Sequence, residues 1–152
     1  MATFTTVSTA PCPPAAAFDF ICDLARWPLF RGYGPLPGIA EASLPPGESL
    51  RPGVRIRVRN SDGSVHHELV EVFEPGRRYV VRMELAPPPA LLMSGIEEAV
   101  EIEPAAGGAL IRRRFTLTPR SPLLRPLVAL VAILLRRAVE RHNADVAAAL
   151  AR

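Results

Sequence analysis

Residues 121–152 constrain the fold most strongly, because their apolar side chains recur at the spacing of a single long α-helix. At about 100° per residue, a set of side chains falls on one face of that helix. The set consists of Leu124, Leu127, Val128, Val131, Leu134, Leu135, Ala138, His142, Val146 and Ala149. The pattern predicts an amphipathic helix with a broad buried stripe and with Ser121 as its N-cap.

The opposite side of this helix differs between its two halves. From residue 136 onward it carries polar residues, namely Arg136, Arg137, Glu140, Arg141 and Asn143. Before residue 136 it carries only apolar residues, namely Ala129, Leu130, Ala132 and Ile133. We therefore expect the first half, Leu123–Leu135, to be covered by a second copy of the chain, a partner subunit or a membrane surface.

The residues before this helix predict seven strands, with two short helices between the first strand and the second. The predicted strands cover residues 2–9, 39–44, 54–59, 65–73, 78–85, 94–103 and 109–118. The first short helix follows the prolines at 11–14, the second covers residues 23–30, and residues 86–93 form a stiff apolar loop. This order predicts an α+β fold in one domain, residues 1–152, with an antiparallel sheet and helices on one of its faces.

Composition excludes two classes of protein. Apolar residues make up 49% of the chain and charged residues 22%, which is typical of a globular domain and not of a disordered one. All 18 basic residues are arginines, and they are spread over the strands without clustered aromatic residues. The net charge of +3 therefore does not predict binding to nucleic acid.

Sequence signals for targeting, metals and cofactors are absent. The N-terminal residues lack the basic and apolar regions of a signal peptide, and the apolar run 126–135 is shorter than the about 20 residues of a transmembrane helix. Cys12 and Cys22 have no metal-ligand spacing, and the adjacent His66 and His67 point to opposite faces of a strand. We expect a soluble cytoplasmic protein with reduced cysteines and with no metal, no cofactor and no transmembrane segment.

Several short motifs resemble those of a known family. They are Pro13-x-x-x-x-Phe18 with Phe20, Trp27-Pro28, Val70-x-x-x-Glu74-Pro75-Gly76-Arg77-Arg78, and the closing helix. Together they resemble the START/polyketide-cyclase-like (SRPBCC, helix-grip) superfamily, in its bacterial polyketide cyclase/dehydrase branch. The resemblance covers the whole chain.

This resemblance implies a helix-grip fold, in which a seven-stranded antiparallel sheet curls around the C-terminal helix and leaves a cavity between them. Members of the superfamily bind lipids, hormones, polyketides or other apolar molecules in that cavity, and some catalyse cyclisation or dehydration. The implied partner is therefore a small hydrophobic ligand. No catalytic motif of the cyclases maps residue by residue onto this sequence.

Strand phasing predicts which polar side chains face such a cavity. A tight hairpin at Glu74–Arg77 would pair Val72 with Tyr79, Val70 with Val81, Glu68 with Met83, and His66 with Leu85. Because these partners on the second strand are apolar or aromatic, Glu68 and His66 are predicted to face inward. In the later hairpin the same reasoning places Glu98 directly opposite Arg113, which predicts an ion pair inside the cavity.

Two interpretations of these polar residues remain open. In the functional one, Glu98, Arg113 and Glu68 orient a polar group of an apolar ligand, and His66 moves a proton. In the structural one, Glu98 and Arg113 satisfy each other, while Glu68 and His66 lie near a solvated strand end. We expect His142, on the apolar face of the helix, to be packed and hydrogen-bonded rather than catalytic.

The remaining candidate residues are apolar or aromatic. Tyr79 and Met83 are predicted to line the core or the cavity, and Val131 and Leu127 to contact a ligand from the helix. Trp27 is predicted to anchor the short helices or to lie at the cavity mouth. The leading hypothesis is binding of a small hydrophobic ligand that is lipid-, polyketide- or aromatic-like, with acidic and hydroxylated molecules among the candidates. The alternative is an enzyme of the cyclase or dehydratase kind, with a residue of the inward polar set (Glu98, Glu68, His66) as acid or base.

Overall fold

The computed structural model describes residues 1–152, and its elements follow the predicted order. The strands are β1 (Ala2–Ala10), β2 (Ile39–Ser43), β3 (Arg55–Asn60), β4 (Val65–Glu74), β5 (Arg78–Glu84), β6 (Met93–Ala105) and β7 (Gly108–Pro119). The α-helices are α1 (Pro14–Cys22), α2 (Pro89–Leu92) and α3 (Arg125–Leu150). Two 3-10 helices cover Leu24–Leu29 and Pro122–Leu124.

All seven strands form one antiparallel sheet in the order β1-β7-β6-β5-β4-β3-β2. Strands β2 to β7 are neighbours in the order in which they occur along the chain, and β1 extends the sheet by pairing with β7. The long helix α3 packs against β1 and β7. The predicted α+β helix-grip fold is therefore confirmed, with two short helices between the first two strands.

The two short helices form where the prolines and Asp23 favour them. Pro14 lies in the first turn of α1, where a missing N–H leaves no hydrogen bond unmade. Asp23 Oδ1 accepts a hydrogen bond from the backbone N–H of Ala25 at 3.1 Å and caps the 3-10 helix. Trp27 Nε1 donates to the carbonyl oxygen of Ile21 at 3.0 Å, so Trp27 anchors the second short helix to the first.

The predicted register of β4 and β5 is correct for only part of the hairpin. Two predicted pairs are present, Glu68 with Met83 and Val70 with Val81. Two predicted pairs are absent, Val72 with Tyr79 and His66 with Leu85. A bulge after Val70 shifts the register and places Tyr79 opposite Phe73, and β5 ends at Glu84, before the last predicted pair.

The predicted register of β6 and β7 is wrong by two residues. Glu98 lies opposite Phe115, and Arg113 lies opposite Val100. Both strands continue further into the turn than predicted, to residues 105 and 108. Gly108 permits the close packing of this turn, because a Cβ there would lie 2.0 Å from a backbone oxygen of β1. A shift of two residues preserves the face of each side chain, so Glu98 and Arg113 still point inward together.

The buried face of α3 is rotated from the predicted one. Its buried residues are Val128, Ala132, Leu135, Ala138, Val139 and Val146. Their centre lies about 50° around the helix from Val131, which is half a residue step. Leu127 is consequently 49% exposed although it was expected inside, and the predicted outward residues Ala132 and Asn143 turn toward the sheet.

The chain leading into α3 also differs from the expectation. Ser121 Oγ accepts from the backbone N–H of Leu123 at 3.2 Å, so the predicted N-cap caps the preceding 3-10 helix instead. The predicted apolar loop 86–93 contains the single-turn helix α2. None of the helices combines the length and the apolar character needed to cross a membrane.

The core consists of two clusters. The larger contains 15 buried residues, among them Phe18, Val100 and Val146. The smaller contains nine, and within it the rings of Phe4 and Phe115 stack with their centroids 5.1 Å apart. The space that separates the two clusters on the inner face of the sheet holds the candidate site.

Candidate functional site

A cavity of about 690 Å³ lies between the inner face of the sheet and α3. Its wall takes residues from both core clusters, including Tyr79 and Val146 from one and Phe115 and Leu135 from the other. Apolar side chains predominate among its lining residues. A cavity of this volume and character falls within the range of small-molecule sites, which is roughly 300–1,000 Å³.

Three loops border the outer part of the cavity. Residues 35–37 precede β2, residues 61–64 join β3 to β4, and residues 85–92 join β5 to β6. Leu91 in the last of these loops is among the exposed large apolar residues. Arg120 Nε donates to the carbonyl oxygen of Ala90, which ties this loop to the chain entering α3. The part of the mouth formed by residues 85–92 is therefore apolar and lies beside the first half of α3.

At the inner end, Arg113 joins the sheet to α3 through a buried polar cluster. Its Nε and Nη2 atoms lie 2.9 and 2.7 Å from Oε1 of Glu98. Its Nη1 donates to Nδ1 of His142 at 2.7 Å and to Oδ1 of Asn143 at 3.1 Å. Asn143 Nδ2 then donates to Oγ1 of Thr6 on β1 at 3.0 Å. Three of the five N–H donors of Arg113 thus make hydrogen bonds, and Nη2 adds a close ionic contact with Glu98.

The same contacts fix the protonation of His142. Burial, and then the charge of Arg113, lower the pKa of His142 from 6.5 to about 3, so the imidazole is neutral near pH 7. Because Nδ1 accepts a hydrogen bond from Arg113, the single ring proton lies on Nε2. The ring packs edge-on against Phe30, with centroids 5.5 Å apart.

A second polar chain runs from the mouth to Glu68 on β4. Asp62 Oδ1 accepts from Ser64 Oγ at 2.6 Å, and Asn60 Nδ2 donates to that Ser64 oxygen at 3.1 Å. Asn60 Nδ2 also lies 3.0 Å from His66 Nδ1, and His66 Nε2 lies 3.2 Å from Glu68 Oε2. With Asn60 as donor, His66 carries its proton on Nε2 and donates it to Glu68.

Tyr79 lies on the inner wall and is only 6% exposed. Its ring packs edge-on against Phe18, with centroids 5.9 Å apart, but its hydroxyl has no hydrogen-bond partner in the protein. Burial, and then the negative charge of Glu98, raise the pKa of Tyr79 well above its ordinary value. The hydroxyl is therefore a neutral polar group at the cavity wall.

Burial also shifts the pKa of neighbouring groups. It raises the pKa of Glu98; Arg113 opposes this shift and Glu68 adds to it. It raises the pKa of the Cys22 thiol to about 12, with smaller contributions from Asp19 and Glu98. For Arg113 burial acts to lower the pKa, but the negative charge of Glu98 and the hydrogen bond to it help to leave the pKa raised.

Most of the residues predicted from the sequence are brought together by this cavity. The lining residues include Glu98, Arg113, Glu68, His66, Tyr79, Met83, Val131 and Trp27. Leu127 is the exception, because the rotation of α3 turns it away from the wall. Glu98 and Arg113 form the predicted ion pair along a diagonal of the sheet and not directly across it. The role of these residues in ligand binding stays a prediction.

Two polar residues of the site were missed in the sequence. Asn60 continues the inward alternation of Ile56 and Val58 by one step, so strand phasing alone could have placed it inside. Asn143 had no such signal, because its position depends on the rotation of α3. No cluster of three or more His, Cys, Asp or Glu residues is arranged to hold a metal ion.

Comparison with known proteins identifies the family. Residues 1–151 match the family described as polyketide cyclase/dehydrase and lipid transport. The chain belongs to this family. The superfamily resemblance predicted from the short motifs is thereby confirmed. No curated protein matches the sequence.

Solved structures of similar fold are distant in sequence. Protein XoxI from Bacillus cereus is 18% identical with a TM-score of 0.71, and the match covers 99% of this chain and 96% of that one. Ara h 8.0201 is 19% identical with a TM-score of 0.67, and the match covers 95% of this chain and 97% of that one. The di-domain ARO/CYC BexL, from the BE-7585A biosynthetic pathway, is 17% identical with a TM-score of 0.66, covering 95% of this chain and 48% of that one. At these identities the likeness shows a shared fold.

Proposed function

We propose that this protein binds a small, largely apolar molecule in the cavity between the sheet and α3. The observation that carries the proposal is the cavity itself, about 690 Å³ with a mainly apolar wall and a few convergent polar groups at its inner end. Membership of a polyketide cyclase/dehydrase and lipid transport family supports the same class of ligand.

A matched pair of isoleucines tests this proposal. Ile96 lines the cavity, whereas Ile133 is 57% exposed on the outer side of α3. We expect the fluorescence enhancement of the neutral probe N-phenylnaphthylamine to be lost in Ile96→Trp, which fills the cavity, and kept in Ile133→Trp. Circular dichroism shows whether each variant folds. If Ile96→Trp does not fold, Met83→Trp, which fills the cavity from β5, replaces it in the test. Equal probe binding by the folded cavity-filling and surface variants would contradict the proposal.

The alternative function is catalysis of a cyclisation or dehydration, with Glu98, Glu68 or His66 as acid or base. One observation favours it: burial raises the pKa of Glu98, which is the direction of shift that suits a general acid. The fold shared with BexL is compatible with it. Turnover of a linear polyketide mimic that falls by about 100-fold or more in Glu98→Gln would support this function. Undiminished turnover would remove Glu98 from it.

A second proposal concerns the outer side of the first half of α3. Leu123, Leu127, Leu130 and Ile133 are exposed there, and Leu91 is exposed at the nearby mouth. No acidic residue occurs between Arg120 and Glu140, and Arg125 and Arg137 form no ion pair. Leucines flanked by unpaired arginines match the surface of an anionic lipid bilayer, and we propose peripheral contact with one.

Vesicle flotation separates this second proposal from the predicted homodimer. We expect the protein to float with vesicles that contain phosphatidylglycerol, and Leu130→Asp to reduce the floated fraction. Val7→Asp, which changes an exposed apolar residue on β1, is the control. No flotation, together with a dimer in light scattering that Leu130→Asp dissociates, would replace the membrane proposal with the homodimer.

A further inference from the structure

The inner end of the cavity contains polar atoms that the protein leaves without partners. Both contacts from Arg113 reach Oε1 of Glu98, so Oε2 of Glu98 has no hydrogen bond. His66 binds Oε2 of Glu68, which leaves Oε1 of Glu68 free. The hydroxyl of Tyr79 is also unpartnered. These three residues are 3–6% exposed, and they are buried everywhere except toward the cavity.

The strand register brings these residues to one part of the wall. On β5, Met83 lies opposite Glu68, and Val81, two residues away on the same face, lies opposite Glu98. Tyr79 is the next inward residue along β5. Because β4 and β6 are separated only by β5, the two acidic residues stand on strands about 10 Å apart. The charge of Glu68 is close enough to act on Glu98.

The positive charge at this end is already paired within the protein. Arg113 donates three hydrogen bonds, one each to Glu98, His142 and Asn143, and its Nη2 makes an ionic contact with the same Glu98 oxygen. The Nε2–H of His142 is a donor without a partner, but it belongs to a ring that is neutral near pH 7. Two carboxylates therefore face the ligand, against one guanidinium that is already engaged. An incoming carboxylate would lose its hydration without gaining a charged partner.

From this arrangement we infer that the ligand ends in a hydrogen-bond donor, a hydroxyl or an ammonium group, which is held by the free oxygens of Glu98 and Glu68. This inference rests on the proposed ligand-binding function and sharpens it, because it removes the acidic ligands that the sequence left open. The hydroxyl of Tyr79 and the Nε2–H of His142 supply donors to an oxygen of the same ligand group. A hydroxyl can use both kinds of partner, and an ammonium group only the acceptors.

Isothermal titration near neutral pH with four naphthalenes of the same shape tests the inference. They are methylnaphthalene, naphthylmethanol, naphthylmethylamine and naphthoate, substituted at the same ring carbon. We expect the alcohol or the amine to bind at least about tenfold more tightly than naphthoate, as a hydrogen bond to a charged group provides. Whichever of these two compounds binds more tightly identifies the hydroxyl or the ammonium group as the preferred donor.

Two variants of the site and one control assign the effect to individual polar groups. In Glu98→Gln we expect the preference for the alcohol or amine over naphthoate to fall by about tenfold, because the carboxylate charge is lost. Glu101→Gln, on the same strand but with an exposed side chain, should leave the preference unchanged. Tyr79→Phe should weaken the binding of the alcohol more than the binding of the amine.

The outcomes separate this inference from the function on which it rests. Binding of methylnaphthalene with naphthoate equal to or tighter than the alcohol and the amine would overturn the inference and leave the binding function intact. A preference for donors that survives unchanged in Glu98→Gln would also overturn it. Failure of all four compounds, methylnaphthalene included, would overturn the binding function as well.

Discussion

The two halves of α3 are attached to the molecule in different ways. The second half is tied to the sheet and to the short helices by polar contacts: His142 and Asn143 bind Arg113, and Asp145 binds Arg31 through two hydrogen bonds of 2.8 and 3.0 Å. The first half has no such contact from its own side chains, and it packs only through apolar residues while exposing leucines on its back. Stability is thus concentrated at one end of the helix, and the cavity mouth lies at the other.

This difference suits a binding protein, because the mouth must open while the fold persists. Segments held by few specific contacts open at lower free energy than segments held by many. The polar cluster around Arg113 therefore serves as the fixed end of the helix. The two halves should therefore respond differently to substitution, with the largest loss of stability at the contacts of Arg113.

Removing the guanidinium should have the largest effect. In Arg113→Met we expect a loss of about 3–5 kcal/mol in the free energy of unfolding, because Glu98 is left as an uncompensated buried charge. Urea denaturation measures this loss. Adding Glu98→Gln to the variant should recover a large part of it. A double variant as unstable as the single one would show that the buried ion pair does not stabilise the second half of α3.

Acid should weaken the same end. The pKa of His142 is depressed in the folded protein, so its contribution to stability is complete above pH 6.5 and is lost as the pH falls toward 3. We expect the native protein to lose about 2–4 kcal/mol over this range from His142, and His142→Gln to show a correspondingly flatter pH profile. Urea midpoints measured across these pH values check the prediction, and parallel profiles for the two proteins would contradict it.

The exposed back of the first half should matter least for stability. Leu130 is 53% exposed, so Leu130→Ser should change the free energy of unfolding by no more than about 0.5 kcal/mol. Leu135→Ala, on the buried side of the same half, should cost about 2 kcal/mol or more. A large loss in Leu130→Ser would mean that this surface is covered in solution.

The fold and most of the cavity wall could be predicted because alternation along a strand determines which face of the sheet each side chain occupies. That face is predicted more reliably than the residue that lies opposite on the neighbouring strand. Glu98 and Arg113 share a face under any even shift, so the pair was found although the hairpin register was wrong by two residues. The bulge after Val70 left the inward direction of Tyr79 intact for a different reason: the extra residue lies on β4, so the alternation along β5 is unbroken.

Helix rotation was harder to predict, for a physical reason. When the first half of a helix is apolar on nearly all sides, its composition does not say which side faces the sheet. The wrong choice placed Leu127 on the wall and Asn143 in solvent, whereas the hydrogen bond from Asn143 to Thr6 sets the actual rotation. The unpartnered oxygens at the cavity wall could likewise not be predicted from the sequence, because they depend on which atoms the ion pairs leave free.

A crystal structure of the protein with naphthylmethanol is the most direct test of the inferred binding mode. We expect the naphthalene ring between the sheet and α3, beside Phe115 and Leu135, with the hydroxyl within hydrogen-bond distance of Glu98 Oε2 or Glu68 Oε1. An empty cavity with the compound on the exposed leucines of α3, or a ring bound with its hydroxyl at the mouth, would contradict it.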